Sequence, residues 1–291
     1  MRVVSDRDPD APNLLIIGAM KGGSSSLAAA LIRDLGAAVP YDKEVHLLSH
    51  YWVNSEDCRK RYRKFFAREP QLYDQSTRSQ LLLDASTSYS KWPDVPGIPN
   101  RALEVCGPDL KILYIIRDRW ERLNSHYRHE CSAGKNVKLP TATNIDVPLV
   151  NYSLYSKQIQ PWLSAFDAKN IRILRLEDLS NSYPNVLCDL AQFLACKNTS
   201  KFQEFPRENS TESLALPGPS IRKLVLHGAY RNFFRPLLSP QTRAKLRKIL
   251  FRAPSVEPIQ LDSDTISAVS SVFERDSIEF ERLVNLHGLS L

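Results

Sequence analysis

Four stretches of the chain are apolar almost without interruption, each bounded by turn-forming or charged residues: NLLIIG (13–18), SQLLLDAS (79–86), DLKILYIIRD (109–118) and NIRILRLEDL (170–179). Runs of that length suit strands buried on both faces. Between them the apolar positions take helical spacing. SSSLAAALIRDLG (24–36) opens on serines and closes on Gly36, RWERLNSHYRHE (119–130) follows the third strand, and YPNVLCDLAQFLA (183–195) carries Pro184 near its start. Strands alternating with helices predict an α/β fold, a central parallel sheet flanked by helices. Toward the C-terminus, LSPQTRAKLRKIL (238–250) offers Ser239 as N-cap with Pro240 at the first helical position, and SAVSSVFERDSIEFERLVNL (267–286) reads as an amphipathic helix. Parallel sheets bind ligands beyond the carboxyl ends of their strands. Chemistry is therefore expected near 18–26, 84–89 and 117–125.

Size and composition narrow the classes. The chain has 291 residues, 43% of them hydrophobic, enough for a full core. We expect a single domain over 1–291, with 1–12 as a flexible lead-in and 200–291 as its C-terminal helical and loop part. No apolar run reaches the roughly 18–20 residues of a membrane span, and MRVVSDRDPDAPN lacks a secretory core. Five scattered cysteines, with no CxxC pair, read as reduced structural thiols, so a cytoplasmic location is expected. The net charge is +7, and from Leu214 to Val256 nine basic residues meet no acidic one. Such a block suits a nucleic-acid surface, a membrane-surface patch or a cradle for an anionic ligand, and most of its residues equally suit a solvated helix face. No aromatic-studded basic strand or zinc-finger spacing accompanies it, so nucleic acid is not the expected partner.

IIGAMKGGSSSLAAAL (16–31) is the first chemical signal. Gly22 and Gly23 can take positive φ and let the backbone approach an anion. The helix that begins near Ser24 turns its free N–H groups toward the loop. Ser24, Ser25 and Ser26 add hydroxyl donors and Lys21 a point charge, which together make a nest for a phosphate or diphosphate. In the kinase P-loop the lysine follows the last glycine; here it precedes both, and the spacing is not G-x-G-x-x-G either. The second signal is YIIRDRWERLNSHYRHE (114–130), where Arg117 ends a strand and Ser125 lies about two helical turns on. An arginine fork plus a hydroxyl matches a terminal phosphate monoester.

Taken together, these two segments resemble the sulfotransferase family, and most of all its branch of heparan sulfate sulfotransferases and bacterial relatives. The resemblance implies the P-loop-like nucleotide-binding fold of that family. It implies 3′-phosphoadenosine 5′-phosphosulfate (PAPS) as sulfuryl donor, with no metal. It assigns Lys21, Gly22, Gly23, Ser24, Ser25 and Ser26 to the 5′-phosphosulfate, and Arg117 and Ser125 to the 3′-phosphate. YDKEVHLLSHYW (41–52) looks like the segment that carries the catalytic glutamate, here Glu44, with His46 as the rival base. LLLDASTSYSKWP (81–93) looks like the segment lining the acceptor site. LYSKQIQPWLSAF and IRILRLEDL (154–179) match the later family pattern.

The chain also departs from the pattern. Ala85 stands where heparan-type members often carry lysine, and Leu47 and Leu48 replace an aromatic pair. A basic segment often closes over the nucleotide in this family, which makes Arg222 and Lys223 the candidates here. The implied reaction is sulfuryl transfer to a hydroxyl or amine of a small molecule, lipid or glycan. Lys21 would stabilise the leaving phosphate and Glu44 would take the acceptor's proton. A P-loop nucleotide or small-molecule kinase and a polyanion-binding protein built on the 214–256 block are the alternatives.

Overall fold

The structure, a computed structural model, describes residues 8–40, 44–66, 81–196, 204–206, 216–217, 251–252 and 256–289. Arg222, Lys223, most of the basic block and the expected helix at 238–250 lie outside the described residues.

Two compact units divide the chain. The first comprises Met1–Leu123, Lys138–Glu208 and Leu261–Leu291. It is built on four parallel strands, β1 (Leu14–Gly18), β2 (Leu83–Asp84), β3 (Lys111–Ile116) and β4 (Ile171–Arg175), in the order β2-β1-β3-β4. The central parallel sheet flanked by helices is as the apolar runs predict.

Why these runs are unbroken is visible in their alternation. Leu14 and Ile16 of β1 face one core, with Leu113 and Ile115 of β3. Leu15 and Ile17 face the other, with Ile112 and Tyr114. Helices α1 (Ser24–Leu35) and α8 (Tyr183–Phe193) cover the first face through Leu27, Leu31, Leu187 and Leu190. On the second lie α2 (Ser55–Phe66), α3 (Ile98–Cys106), α6 (Tyr155–Ala165), which follows the single turn α5 (Pro148–Asn151), and the C-terminal α9 (Ser263–His287). They contribute Tyr62, Val105, Trp162 and Phe280. A period-two chain with both faces buried has no polar positions to show.

Two elements differ from expectation. β2 is only two residues long and is extended by a parallel bridge between Ala38 and Leu82. β4 stops at Arg175, and the residues expected to continue it form the short helix α7 (Leu176–Asn181). The charged pair Glu177 and Asp178 sits in its first turn, where acidic side chains favour a helix N-terminus.

The second unit comprises Asn124–Val137 and Asn209–Gln260. Its described part holds the C-terminal stretch of α4 (Arg119–Ser132) and a two-residue antiparallel pairing of β5 (Leu216–Pro217) with β6 (Phe251–Arg252). Within it the Ile259 N–H donates to Asn124 Oδ1 at 3.0 Å. The 3.6-residue period of the terminal run also holds: α9 starts with Asp262 accepting from the Thr265 N–H at 2.8 Å and ends at Gly288 with φ 58°.

Candidate active site

The loop from Ala19 to Gly23 leaves β1 and enters α1. The Ala19 N–H donates to the Ile115 carbonyl of β3 at 2.6 Å, and the Gly22 N–H closes the loop onto the Ala19 carbonyl at 2.8 Å. The two glycines serve different needs. Gly23 is the N-cap of α1, with φ 105°. The positive φ expected of Gly22 falls instead on Lys21, at 65°. Gly22 is required for space: a Cβ there would lie 2.8 Å from the Ile115 carbonyl oxygen. No side chain caps the N-terminus of α1. Ser24 and Ser26 are buried and Ser25 is half-buried.

Two arginines from the segment after β3 hold the loop from behind. Arg117 Nη1 donates to the Lys21 carbonyl at 3.4 Å, and Arg122 Nη1 to the Met20 carbonyl at 3.3 Å. Arg117 also pairs with Glu121, and its backbone is locked by the Tyr155 hydroxyl, which donates to the Arg117 carbonyl at 2.8 Å. In a trans peptide the C=O and N–H point opposite ways. Gripping the Met20 carbonyl therefore turns the Lys21 N–H away from Arg122.

Glu44 and His46 converge. Glu44 Oε2 lies 3.6 Å from His46 Nε2 and accepts from the Thr87 hydroxyl at 3.0 Å. The other ring nitrogen, Nδ1, lies 2.7 Å from Ser88 Oγ, and Ser88 Oγ lies 2.7 Å from Ser49 Oγ. Ser49 Oγ in turn donates to the His46 carbonyl at 3.2 Å. A carbonyl only accepts and a hydroxyl has one proton. Ser49 therefore accepts from Ser88, and Ser88 accepts from His46 Nδ1–H. That order leaves Nε2 of the neutral ring as a lone-pair acceptor on the Glu44 side.

Beneath this pair, a 3₁₀ turn at Thr87–Ser90 is anchored by the buried Asp84. Asp84 accepts from Tyr62, Tyr89 and Ser86, each at 2.6 Å. Ser86 Oγ also accepts from the His46 N–H at 3.0 Å, so the carboxylate fixes the histidine at one remove. Burial pushes the Asp84 carboxyl up from its ordinary value, and the three hydroxyl donors pull it partly back. The turn abuts the loop: a Cβ on Gly18 would overlap the Ser90 hydroxyl.

Ser125 is buried on α4 and belongs to the second unit. Arg117 belongs to the first. A separate cavity of about 640 Å³ opens beside Trp92, two residues past the turn, and is lined also by Asn151, Lys157, Gln160, Arg275 and Glu279. Sequence reasoning missed Arg122, Asp84 and the hydroxyls of Thr87 and Ser88. The run of hydroxyl residues in DASTSYS was the visible signal of Asp84, Thr87 and Ser88, and no local pattern marked Arg122. Among the described residues, no helix is long and apolar enough to cross a membrane.

Comparison with known proteins agrees with the fold. The family described as sulfotransferase domain matches residues 11–215. The solved sulfotransferase of Alicyclobacillus acidocaldarius has a similar fold, with a TM-score of 0.51 and 22% identity over 84% of this chain and 97% of that one. Two further structures align at lower scores. The sulfotransferase domain of the curacin biosynthetic pathway gives 0.44 with 16% identity, covering 92% of this chain and 98% of that one. The sulfotransferase domain of the Synechococcus PCC 7002 olefin synthase gives 0.45 with 15% identity, covering 91% and 96%. No curated protein matches the chain.

Proposed function

Since the chain belongs to the sulfotransferase domain family, we propose that it moves a sulfuryl group from PAPS to a hydroxyl or amine of a small molecule, lipid or glycan. One observation carries this reading. The loop after β1, the Glu44–His46 pair on the turn after β2 and the arginines after β3 stand at the same ends of three adjacent parallel strands.

The residues fit the donor. An uncapped helix N-terminus, Lys21, and a loop whose glycine cannot carry a side chain suit a phosphate drawn close to the backbone. When bound, PAPS supplies an electrophilic sulfur and a nucleotide leaving group. The acceptor oxygen or nitrogen forms the new bond to sulfur as the bond to the 5′-phosphate breaks, leaving 3′-phosphoadenosine 5′-phosphate (PAP). Lys21 and the first N–H groups of α1 meet the charge that develops on the departing phosphate. The acceptor's proton passes to the Glu44–His46 pair. His46 Nε2 has the lone pair, and Glu44, 3.6 Å away, stabilises the imidazolium that forms. The two residues act here as a unit rather than as rivals.

Arg117 and Ser125 are assigned to the 3′-phosphate on family likeness. Arg222 and Lys223 are assigned to closing over the nucleotide on the same ground. The acceptor approaches from the Trp92 side, because Trp92 follows the turn that holds Glu44 and lines a cavity. The five free thiols suit a reducing compartment such as the cytoplasm.

The test is thermal unfolding with PAP, with ATP-Mg²⁺ and without ligand, on the native chain and on Arg117→Ala. At a hundredfold excess over Kd a ligand adds about 2.7 kcal/mol of stability. PAP is expected to raise the melting temperature and to lose most of that effect in Arg117→Ala. A shift with ATP-Mg²⁺ alone would sink the reading in favour of a kinase.

A further inference from the structure

Arg122 has no part in the chemistry above, yet it is fully buried. Its donors go to the Ser153 hydroxyl at 2.6 Å, the Leu149 carbonyl at 2.6 Å and the Met20 carbonyl at 3.3 Å. All three partners are neutral. Among the described residues, the titratable and charged groups that face it are the hydroxyls of Tyr114 on β3, Tyr152 and Tyr155, and the like charge of Arg117. A buried cation is costly unless an opposite charge answers it, and arginine cannot shed its proton to escape the cost. Burial presses its affinity for the proton down.

The loop gives this charge an outlet. Arg122 binds the carbonyl side of the Met20–Lys21 peptide, whose N–H faces the other way, in the loop that leads into α1. An anion held by that N–H sits about 8 Å from the guanidinium, the span of two hydrogen bonds and one peptide. That is within a Debye length, in a setting that screens little. We propose that Arg122 is a positioning residue for the donor loop and its built-in countercharge, fixing the Met20–Lys21 peptide and neutralised by the anionic end of the nucleotide across it. The inference rests on the donor reading of the loop.

Calorimetric binding of PAP to the full chain at pH 6 and pH 9 tests it, with Arg122→Gln and Arg122→Lys beside the native protein. Glutamine keeps a donor for the carbonyls and removes the charge; lysine keeps a charge that burial makes titratable. Arg122→Gln is expected to bind PAP at least tenfold more weakly at both pH values. Arg122→Lys is expected to stay within about threefold of the native protein at pH 6. Any extra weakening at pH 9 beyond that of the native protein marks loss of the lysine's proton. Gln binding within twofold of native, or Lys as impaired as Gln at pH 6, overturns the proposal. If Arg122→Gln does not fold, Lys alone decides: near-native affinity at pH 6 supports the proposal, and weak binding at both pH values overturns it. If the native chain ignores PAP, the donor reading fails by itself and the same comparison is scored with pyrophosphate. Failure to bind either probe overturns both.

Discussion

Glu44 and His46 share one atom-to-atom approach and one scaffold of hydroxyls, so their loss should not add. Glu44→Gln or His46→Asn is each expected to lower kcat by about 10²–10⁴, the usual worth of a positioned base. The double variant should be no slower than the worse single, because groups acting as a unit are non-additive. Steady-state rates with a competent acceptor check this, and multiplicative losses would mean that the two act separately. Asp84 makes a prediction about pH. Its folded carboxyl is raised by burial, so the folded state takes up a proton more readily than the unfolded chain. Its contribution to stability is present below the ordinary carboxyl value and is lost as pH rises through the folded one. Acidification from neutrality toward pH 4 therefore adds an Asp84 contribution in the native protein. Asp84→Asn lacks it, and its melting temperature should fall more steeply over that interval. Parallel pH profiles would rule this out.

At the level of elements, the strand–loop–helix unit depends on one absent side chain. A Cβ on Gly22 would meet the Ile115 carbonyl at 2.8 Å and the Ala19 carbonyl at 3.0 Å, both main-chain atoms that cannot swing aside. Gly22→Ala should cost roughly 1–3 kcal/mol, as overpacking does, and should shrink the stabilisation given by PAP. Urea unfolding with and without nucleotide measures both. The short helix α7 shows where reading by element fell short. IRILRLEDL keeps apolar side chains at Ile171, Ile173, Leu174 and Leu176, so a strand looks continuous, but Leu176 is needed elsewhere: a Cβ on Gly23 would come 2.7 Å from its Cδ1. The strand ends so that the next turn can pack on the loop. No local pattern carries that demand.

Across the first unit, the C-terminal helix returns to the sheet and is tied there by a buried carboxylate. Asp276 accepts from Arg119 Nη2 at 2.8 Å and from the Ser156 N–H at 3.2 Å, while Phe280 and Leu283 join the core beside Tyr155. Removing one partner of a buried pair costs roughly 3–5 kcal/mol, and the partial exposure of Arg119 argues for the lower end. Asp276→Ala should lower unfolding stability by that much, measured in denaturant, and a change under 1 kcal/mol would contradict the packing described. The amino-acid sequence by itself determined the parallel α/β sheet and marked the lysine–glycine–glycine–serine loop between β1 and α1, and Arg117 after β3, as candidates, because unbroken apolar runs and residue spacing are local facts. Tertiary structure alone decided that Thr87 and Ser88 hold the Glu44–His46 pair, that Asp84 fixes His46 through Ser86, and that Arg122 grips the Met20 carbonyl of the loop. Each of these joins residues far apart in the chain, and only the folded sheet brings them to one edge.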